Sequence, residues 1–301
     1  MKNKVITVFG AGFIGKNLIY QLIEKGNIVR AVSRNPYLQG KLGSMGSSSN
    51  LDICYGNIVR PQSIEKFIAN SDIIINLVGV LHESGGESYF DSHVTGIRNI
   101  AELSNKYGVD ELLHVSSIGA DINSDSKYQS TKGQGEKVLL EYFPKAQIVR
   151  PSIVFGPDDG FFSVQSTIVK LSPLVPMFGG GNNKFQPVYV KDLIDGIIRL
   201  LNSKDDQGKI YEFGGPDVMT MKEVYELILK TLKIRRLLIP APTVAAKLIA
   251  TFAQLLPDPI ITRDLVKILK FDNVVNEKSN TLASLKISAQ SSKVIVPTYL
   301  K

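Results

Sequence analysis

Tyr128 and Lys132 can both take part in proton transfer, and they stand four positions apart at the start of a helix predicted over residues 127–141. Side chains at i and i+4 lie on one face of a helix. An ammonium group beside a phenol lowers the pKa of the phenol, so Tyr128 could act as general acid or base when a carbonyl and an alcohol interconvert. Lys132 could also hold the ribose of a nicotinamide nucleotide. The Tyr-x-x-x-Lys pattern is common, and only the surrounding elements make it specific.

Three glycines form the second pattern. Gly10, Gly12 and Gly15 are spaced G-x-G-x-x-G between a β-branched run at residues 5–9 and an apolar-periodic helix that ends near Gly26. In a Rossmann fold the first glycine permits the tight turn, the second lets the backbone approach a pyrophosphate, and the third lets the helix pack on the strand. The pyrophosphate would lie against the free N–H groups of the helix N-terminus.

A phosphate-binding P-loop is the alternative for this segment. Gly10, Gly15 and Lys16 fit the pattern G-x-x-x-x-G-K. The next residue is Asn17, however, where a P-loop carries a Ser or Thr whose hydroxyl holds magnesium. The dinucleotide interpretation is favoured because both the strand and the helix that it needs are present.

Ser33 and Arg34 lie at the end of the second predicted strand, residues 28–33, and bear on the choice of nucleotide. An NAD-binding Rossmann domain carries an acidic residue here, about 20 residues beyond the glycines, which binds the ribose 2′-hydroxyl. This chain has Ser33, Arg34 and Asn35 instead. Arg34 could pair with a 2′-phosphate, with Arg30 adding to the positive field. NADP(H) is therefore the expected cofactor and NAD(H) the alternative, and a solvated loop arginine is the other interpretation of Arg34.

Strands and helices alternate in the first part of the chain. They are predicted at residues 51–56 (strand), 61–69 (helix), 72–79 (strand), 94–107 (helix), 111–117 (strand) and 147–151 (strand). This alternation predicts an α/β fold with a Rossmann-type doubly wound parallel sheet. The NAD(P)-binding Rossmann domain is expected at residues 1–155, with a late strand at about 210–214 returning to the sheet. Residues 156–209 and 215–301 are expected to form a smaller C-terminal lobe for a substrate or a partner.

Two helices are predicted in this smaller lobe. Thr220 is expected to cap a helix over residues 221–232, with Glu223 as its partner in a capping box. Residues 244–256 form a nearly all-apolar helix in which Lys247 is the only charge. Core packing, docking to a protein partner and a shallow membrane contact remain open for this helix.

Composition narrows the classes of partner. The chain of 301 residues has a formal charge of +7 and an isoelectric point of about 9.2, which suits nucleotide phosphates, an anionic membrane or an acidic protein surface. It has no block of Arg and Lys with interleaved aromatics, so nucleic-acid binding is not expected. No window of 18 residues is both apolar and uncharged, so no transmembrane span is expected.

The single cysteine, Cys54, favours a reducing, cytoplasmic location. The histidines His82, His93 and His114 lack metal-ligand spacing, so no metal is expected.

These motifs together resemble the extended short-chain dehydrogenase/reductase superfamily, in its NAD-dependent epimerase/dehydratase-like form, over most of residues 4–216. Besides the glycine turn and the Tyr/Lys pair, the matching motifs are residues 72–79, 93–99, 150–157, 186–192 and 214–216. The resemblance implies catalytic roles for Tyr128, Lys132 and Ser117. It also implies that the cofactor is bound by Gly10, Gly12, Phe13, Ile14, Gly15, Ser33, Arg34, Asn57, Leu77, Val78, Gly79, Tyr128, Lys132 and Pro151.

One departure from the superfamily concerns the residue beside the tyrosine. Active members carry a Ser or Thr at the end of the fifth strand, where its hydroxyl binds the substrate oxygen. One alignment puts Ile118 at that position, and a shift of one residue puts Ser117 there. An aliphatic side chain cannot stabilise a developing oxyanion, so Tyr128 and Lys132 could then serve only to hold the ribose.

Residues 76–79, 114–121 and 256–264 are similar to one atypical branch of the superfamily. That branch contains the nucleotide-binding accessory subunit of respiratory complex I (NADH–ubiquinone oxidoreductase), its alphaproteobacterial relatives, and relatives linked to ubiquinone biosynthesis. The resemblance implies an NADP(H)-binding accessory or assembly component of complex I or of another quinone-linked complex, with little or no turnover. The location implied is peripheral, on the inner face of the cytoplasmic membrane or on the matrix side if mitochondrial. The alternatives are an active NADP-dependent oxidoreductase or epimerase in quinone metabolism, using Tyr128 and Lys132, and a nucleotide-dependent regulatory module.

Overall fold

The computed structural model describes residues 2–34, 49–83, 86–253, 262–269 and 271–301. It divides the chain into two compact units. The first comprises Met1–Ser124, Tyr128–Arg150 and Ile194–Tyr211, and the second comprises Asp125–Lys127, Pro151–Leu193 and Glu212–Lys301. The functional division that we predict at Phe155, with a cofactor-binding part and a substrate or partner lobe, remains a prediction.

The first unit is built on a seven-stranded sheet. From one edge to the other its strands are β11 (Ile210–Phe213), β6 (Gln147–Pro151), β5 (Glu111–Val115), β4 (Ile73–Asn76), β1 (Val5–Phe9), β2 (Ile28–Ser33) and β3 (Leu51–Tyr55). The neighbouring pairs from β3 to β6 are parallel. The chain runs outward from β1 to β3 and then returns to the other side of β1 at β4. Ligands of open α/β sheets bind at such a switch point.

Helices follow these strands as the alternation predicts. They are α1 (Phe13–Glu24), α2 (Pro61–Ile68), α3 (Gly96–Lys106) and α4 (Lys127–Tyr142), and a π-helix at Asp91–Thr95 leads into α3. A buried apolar cluster that includes Phe9, Ile64, Ile74, Leu112 and Leu139 joins them to the sheet. The predicted α/β fold with a Rossmann-type doubly wound parallel sheet is confirmed.

Two strands end earlier than the sequence predicts. Strand β4 ends at Asn76 rather than Gly79, and β5 ends at Val115 rather than Ser117. The side chain of Asn76 explains the first difference: its Oδ1 accepts a hydrogen bond from the N–H of Val78 at 3.1 Å, and this local turn replaces the ladder hydrogen bond of a longer strand. The residues just beyond both strands therefore lie in loops.

The second unit contains short elements. Its helices are α5 (Phe162–Leu171), α7 (Met221–Leu232), α8 (Thr243–Ala253), α9 (Arg263–Ile268) and α10 (Ser292–Tyr299), while the residues of α6 (Val190–Leu200) are divided between the two units. Its paired strands are β7 (Val154–Phe155) with β10 (Val188–Tyr189), β9 (Lys184–Phe185) with β12 (Met219–Thr220), and β8 (Leu174–Phe178) with β13 (Leu237–Ala241). The capping box of α7 is present: the N–H of Glu223 donates to Thr220 Oγ1 at 3.2 Å, and the N–H of Thr220 donates to Glu223 Oε2 at 2.7 Å.

Helix α8 buries little of its apolar surface. Ala246 and Ala250 are fully buried and pack with Val266 of α9. Its larger side chains are 49–70% exposed; they are Val244, Leu248, Ile249 and Phe252. Core packing therefore accounts only for the small residues of this helix. Residues 254–261 lie outside the described residues; they include the predicted end of this helix and most of the segment 256–264 that resembles the atypical branch. In the described part of the chain, no helix combines the length and the apolar character needed to cross a bilayer.

Candidate functional site

The glycine turn connects β1 to α1 as the spacing predicts. Gly10 has φ +95°, a left-handed conformation that favours glycine. A Cβ on Gly15 would lie 2.1 Å from the carbonyl oxygen of Gly10, so the turn and the helix approach too closely for any other residue. A Cβ on Gly12 would meet no heavy atom of the described residues within 4 Å. With respect to the described residues, the space over Gly12 at the N-terminus of α1 is thus open to a ligand group.

A pocket opens beside this turn at the switch point of the sheet. Eight of the predicted cofactor-binding residues line it: Gly10, Gly12, Ser33, Arg34, Asn57, Leu77, Val78 and Gly79. The other lining residues are Ala11, Val32, Gly56, Ile58, Val59, Val80, Glu87 and Ser92. The other predicted cofactor residues do not line it: Phe13, Ile14 and Gly15 begin α1, Tyr128 and Lys132 lie on α4, and Pro151 ends β6 and belongs to the second unit.

Glu87 lines the pocket, and the sequence alone does not indicate it. Its carboxylate pairs with the Arg34 guanidinium, and its Oε1 accepts a hydrogen bond from Asn57 Nδ2 at 3.1 Å. The orientation of the Asn57 amide is itself fixed, because its Oδ1 accepts from the N–H of Val59 at 2.9 Å. Glu87 comes from the loop after β4, more than fifty positions beyond Arg34, and no spacing pattern in the sequence links the two.

Arg30 does not reach the pocket. Its Nη1 donates to the carbonyl oxygen of Asn70 at 2.7 Å, and its Nε lies 3.9 Å from Asp52 Oδ2 on the neighbouring strand β3. These two partners hold its guanidinium away from the pocket lining, and its contribution to the positive field at the nucleotide stays a prediction.

A buried cluster of rings lies next to this pocket. The ring of His93 stacks on Tyr89 with centroids 5.6 Å apart and meets the Tyr128 ring edge-on at 5.4 Å. Its Nε2 accepts a hydrogen bond from the N–H of Val80 at 3.2 Å, so its Nδ1 carries the hydrogen and donates to Thr131 Oγ1 at 3.0 Å. His93 thus connects a pocket loop to helix α4. Burial, with the nearby Lys132 charge, lowers the pKa of His93 to about 2, so the ring is neutral.

His114 is a second buried neutral histidine. Its Nδ1 lies 3.2 Å from Asn76 Nδ2, and the Asn76 amide is oriented by its hydrogen bond from Val78. The Nδ1 therefore accepts and Nε2 carries the hydrogen. Among the described residues this N–H has no hydrogen-bond partner. Burial, again with the charge of Lys132, lowers the pKa of His114 to about 3.

Lys132 shares the buried interior with these histidines. It is 3% exposed, and burial lowers its pKa to about 8 although Glu136 acts in the opposite direction. Its Nζ would lie 3.1 Å from a Cβ on Gly79, so the ammonium reaches the pocket loop. The same Nζ is 6.0 Å from the centroid of the Tyr128 ring. Lys132 therefore adjoins the pocket although it does not line it.

The environment of Tyr128 contradicts one expectation from the sequence. Burial raises the pKa of its phenol, and the group that acts in the opposite direction is Ser117, not Lys132. The physical reason is that the buried phenol loses solvation while the ammonium is directed at the loop of Gly79. Among the described residues the Ser117 hydroxyl has no hydrogen bond that meets ordinary distance and angle limits, and its effect on the pKa of the phenol is smaller than that of desolvation. Ser117, rather than the buried Ile118, is the residue that acts on the phenol, and its catalytic role remains a prediction.

Helix α4 is held tightly in place, which explains its two glycines. A Cβ on Gly135 would lie 2.0 Å from the carbonyl oxygen of His93, and a Cβ on Gly133 would lie 2.6 Å from the backbone nitrogen of Ile122. Glu136 on the same helix makes two hydrogen bonds to the Arg150 guanidinium of β6, at 2.9 and 2.6 Å. These contacts position Tyr128 and Lys132 relative to the sheet.

Comparison with known proteins adds to this geometry. The sequence profile of the NAD dependent epimerase/dehydratase family matches residues 6–214. The mitochondrial NADH-ubiquinone oxidoreductase 40 kDa subunit of Neurospora crassa is 30% identical over 283 residues, which cover 93% of this chain and 74% of the relative. The mitochondrial NADH dehydrogenase (ubiquinone) 1 alpha subcomplex subunit 9 of Dictyostelium discoideum is 31% identical over 293 residues, covering 94% and 80%.

Solved structures agree on the fold. The dTDP-glucose 4,6-dehydratase of Bacillus anthracis, in a complex with NAD, matches with a TM-score of 0.70 at 21% identity, over 79% of this chain and 84% of that chain. An identity this low supports likeness of the fold alone.

Proposed function

The chain belongs to the NAD dependent epimerase/dehydratase family, and we propose that it binds a nicotinamide dinucleotide. The nucleotide lies in the pocket beside the glycine turn of the first unit, and NADP(H) is preferred to NAD(H). The observation that carries the proposal is the pocket at Gly10 and Gly12, which has open space over Gly12 and Arg34 among its lining residues. A pyrophosphate is stabilised by the N–H groups at the start of α1. Arg34 is the group that can bind a 2′-phosphate.

We further propose that the protein is an accessory or assembly component of an NADH–quinone oxidoreductase and turns over little or no substrate. Two relatives that cover most of the chain carry the names of subunits of that system. The raised pKa of Tyr128 supports low turnover, because a phenol with a raised pKa is a poor general base near neutral pH. The nucleotide would then serve structure or sensing.

The exposed face of α8 supports a docking role. Val244, Leu248, Ile249 and Phe252 are at least 49% exposed on one helix of the second unit. Contiguous exposed apolar residues mark interaction surfaces on soluble domains. A partner complex at the membrane would place the protein peripherally, on the inner face of the cytoplasmic membrane or on the matrix side in a mitochondrion.

Ser117 favours a second candidate function, an active NADP-dependent oxidoreductase or epimerase, with quinone metabolism as its setting. The Ser117 side chain acts on the Tyr128 phenol, and Lys132 shares the helix of Tyr128. In that case Tyr128 is the acid or base, Ser117 binds the substrate oxygen, and Lys132 holds the ribose.

One experiment with two readouts separates these candidates. In detergent-solubilised membranes of the source organism, the accessory role predicts that the chain comigrates with the NADH–quinone oxidoreductase activity. The purified chain is expected to bind NADPH without oxidising it in the presence of quinones or carbonyl compounds, as followed by the absorbance of the reduced nicotinamide. Replacing Leu248 and Phe252 by Ser is expected to abolish comigration and to leave NADPH binding intact.

Turnover that disappears in Tyr128→Phe, with NADPH affinity unchanged, would instead establish the enzyme. A chain that migrates alone and also lacks turnover would contradict both candidate functions while leaving nucleotide binding untouched.

A further inference from the structure

Arg34 and Glu87 are the only charged side chains among the described residues that line the pocket. Arg34 follows strand β2 and is 52% exposed, while Glu87 is 24% exposed. The two groups form an ion pair, so the guanidinium is already neutralised by a carboxylate on the pocket wall. Any nucleotide phosphate that pairs with Arg34 must therefore approach Glu87 as well.

The carboxylate of Glu87 is fixed in place from a second direction. Asn57 is buried, and its Nδ2 donates to Glu87 Oε1 while Arg34 Nη1 contacts Oε2. The Asn57 amide cannot turn around without loss of its hydrogen bond from Val59. Because Asn57 holds one oxygen independently of Arg34, the negative charge of Glu87 stays in the pocket even when Arg34 moves away.

From this arrangement we infer that Glu87 is a specificity-determining residue for the nucleotide, which holds Arg34 and opposes the 2′-phosphate of NADP(H). The inference rests on the proposed binding of a dinucleotide in this pocket. A phosphate monoester carries about −1.5 to −2 charges at neutral pH, and like charges at close range disfavour binding. A ribose with a free 2′-hydroxyl brings no such charge and can donate a hydrogen bond to a carboxylate.

The preference of the natural protein for NADP(H) is thus the difference between two opposed contributions. Arg34 attracts the 2′-phosphate, whereas Glu87 competes for Arg34 and repels the phosphate. Removing the charge of Glu87 should strengthen NADP(H) binding and should weaken NAD(H) binding slightly or leave it unchanged. Removing Arg34 should weaken NADP(H) binding and should strengthen NAD(H) binding slightly or leave it unchanged.

The test is the ratio of NADPH to NADH affinity, measured by titration calorimetry on the intact chain of 301 residues. Glu87→Gln keeps the shape and a hydrogen-bonding oxygen, and we expect it to raise the ratio on the order of tenfold, a magnitude typical of one close charge pair. Arg34→Gln should lower the ratio by about the same factor. Arg30→Gln is the matched control: it removes an arginine of β2 that faces Asn70 and Asp52, and should change the ratio less than about twofold.

A pH series separates charge from shape. The second ionisation of a phosphate monoester has a pKa near 6, so the gain from Glu87→Gln should be smaller at pH 5.5 than at pH 7.5. An unchanged or lowered ratio in Glu87→Gln would overturn the inference, and a lowered ratio would mean that Glu87 orients Arg34 for the phosphate. A wild-type chain that binds neither nucleotide would overturn the proposed function and this inference together, whereas normal binding with an unchanged ratio overturns the inference alone.

Discussion

On the exposed side of the candidate site, Arg34 is exposed and Glu87 is half-buried, and the two hold each other by opposite charge; His93, His114 and Lys132 lie buried next to its other side. At the exposed side, solvent screens the charges, and an ion pair of this kind contributes little to the stability of the fold. At the buried side, desolvation lowers the pKa of all three bases. Charge at the exposed side can therefore serve recognition, while protonation at the buried side is coupled to folding.

The largest effect is expected on the stability of the buried side when the pH is lowered. His93 and His114 have pKa values of about 2 and about 3 in the folded chain, against about 6.5 in an unfolded chain. Below pH 6.5 the unfolded state takes up protons at both rings and the folded state does not. As the pH decreases below 6.5, the free energy of unfolding should thus decrease by about 1.4 kcal/mol per pH unit for each histidine.

Urea denaturation between pH 7.5 and pH 5.0 measures this dependence. The control is His93→Gln, whose amide can accept from Val80 and donate to Thr131 as His93 does. It should remove about half of the slope that the two histidines contribute below pH 6.5. Identical slopes in the wild type and in His93→Gln would contradict a neutral, buried His93.

A smaller effect on stability is expected from alanine substitutions at two glycines of the turn: Gly15 is needed for packing, whereas Gly12 faces the proposed ligand. Gly15→Ala places a Cβ 2.1 Å from the Gly10 carbonyl oxygen, and overpacking of this kind lowers the free energy of unfolding by about 1–3 kcal/mol. Gly12→Ala meets open space and should cost less than about 1 kcal/mol. Thermal denaturation without nucleotide compares the two variants. Equal losses in both variants would show that the space over Gly12 is not open in solution.

Much of the fold and of the binding turn could be predicted from the sequence, because those features depend on local spacing. The glycines, the alternation of strands and helices, and the shared helix face of Tyr128 and Lys132 are all periodic patterns. Glu87 could not be predicted, because it reaches Arg34 only after the chain has crossed from β2 to the loop after β4. The pairing of Tyr128 with Lys132 predicts the wrong direction for the pKa of the phenol, because a pairwise argument leaves out the desolvation that the whole fold imposes.

The predictions on nucleotide preference depend on our proposal that this chain holds a nicotinamide dinucleotide at the turn of Gly10, Gly12 and Gly15. The most direct measurement is the nucleotide extracted from the purified wild-type chain and from Gly12→Ala prepared in the same way, identified and quantified by chromatography against known standards. We predict near-equimolar NADP(H) in the wild type and strongly reduced nucleotide in Gly12→Ala. A wild-type chain that carries no nucleotide and takes up none when NADPH or NADH is added would show that this turn does not bind a dinucleotide.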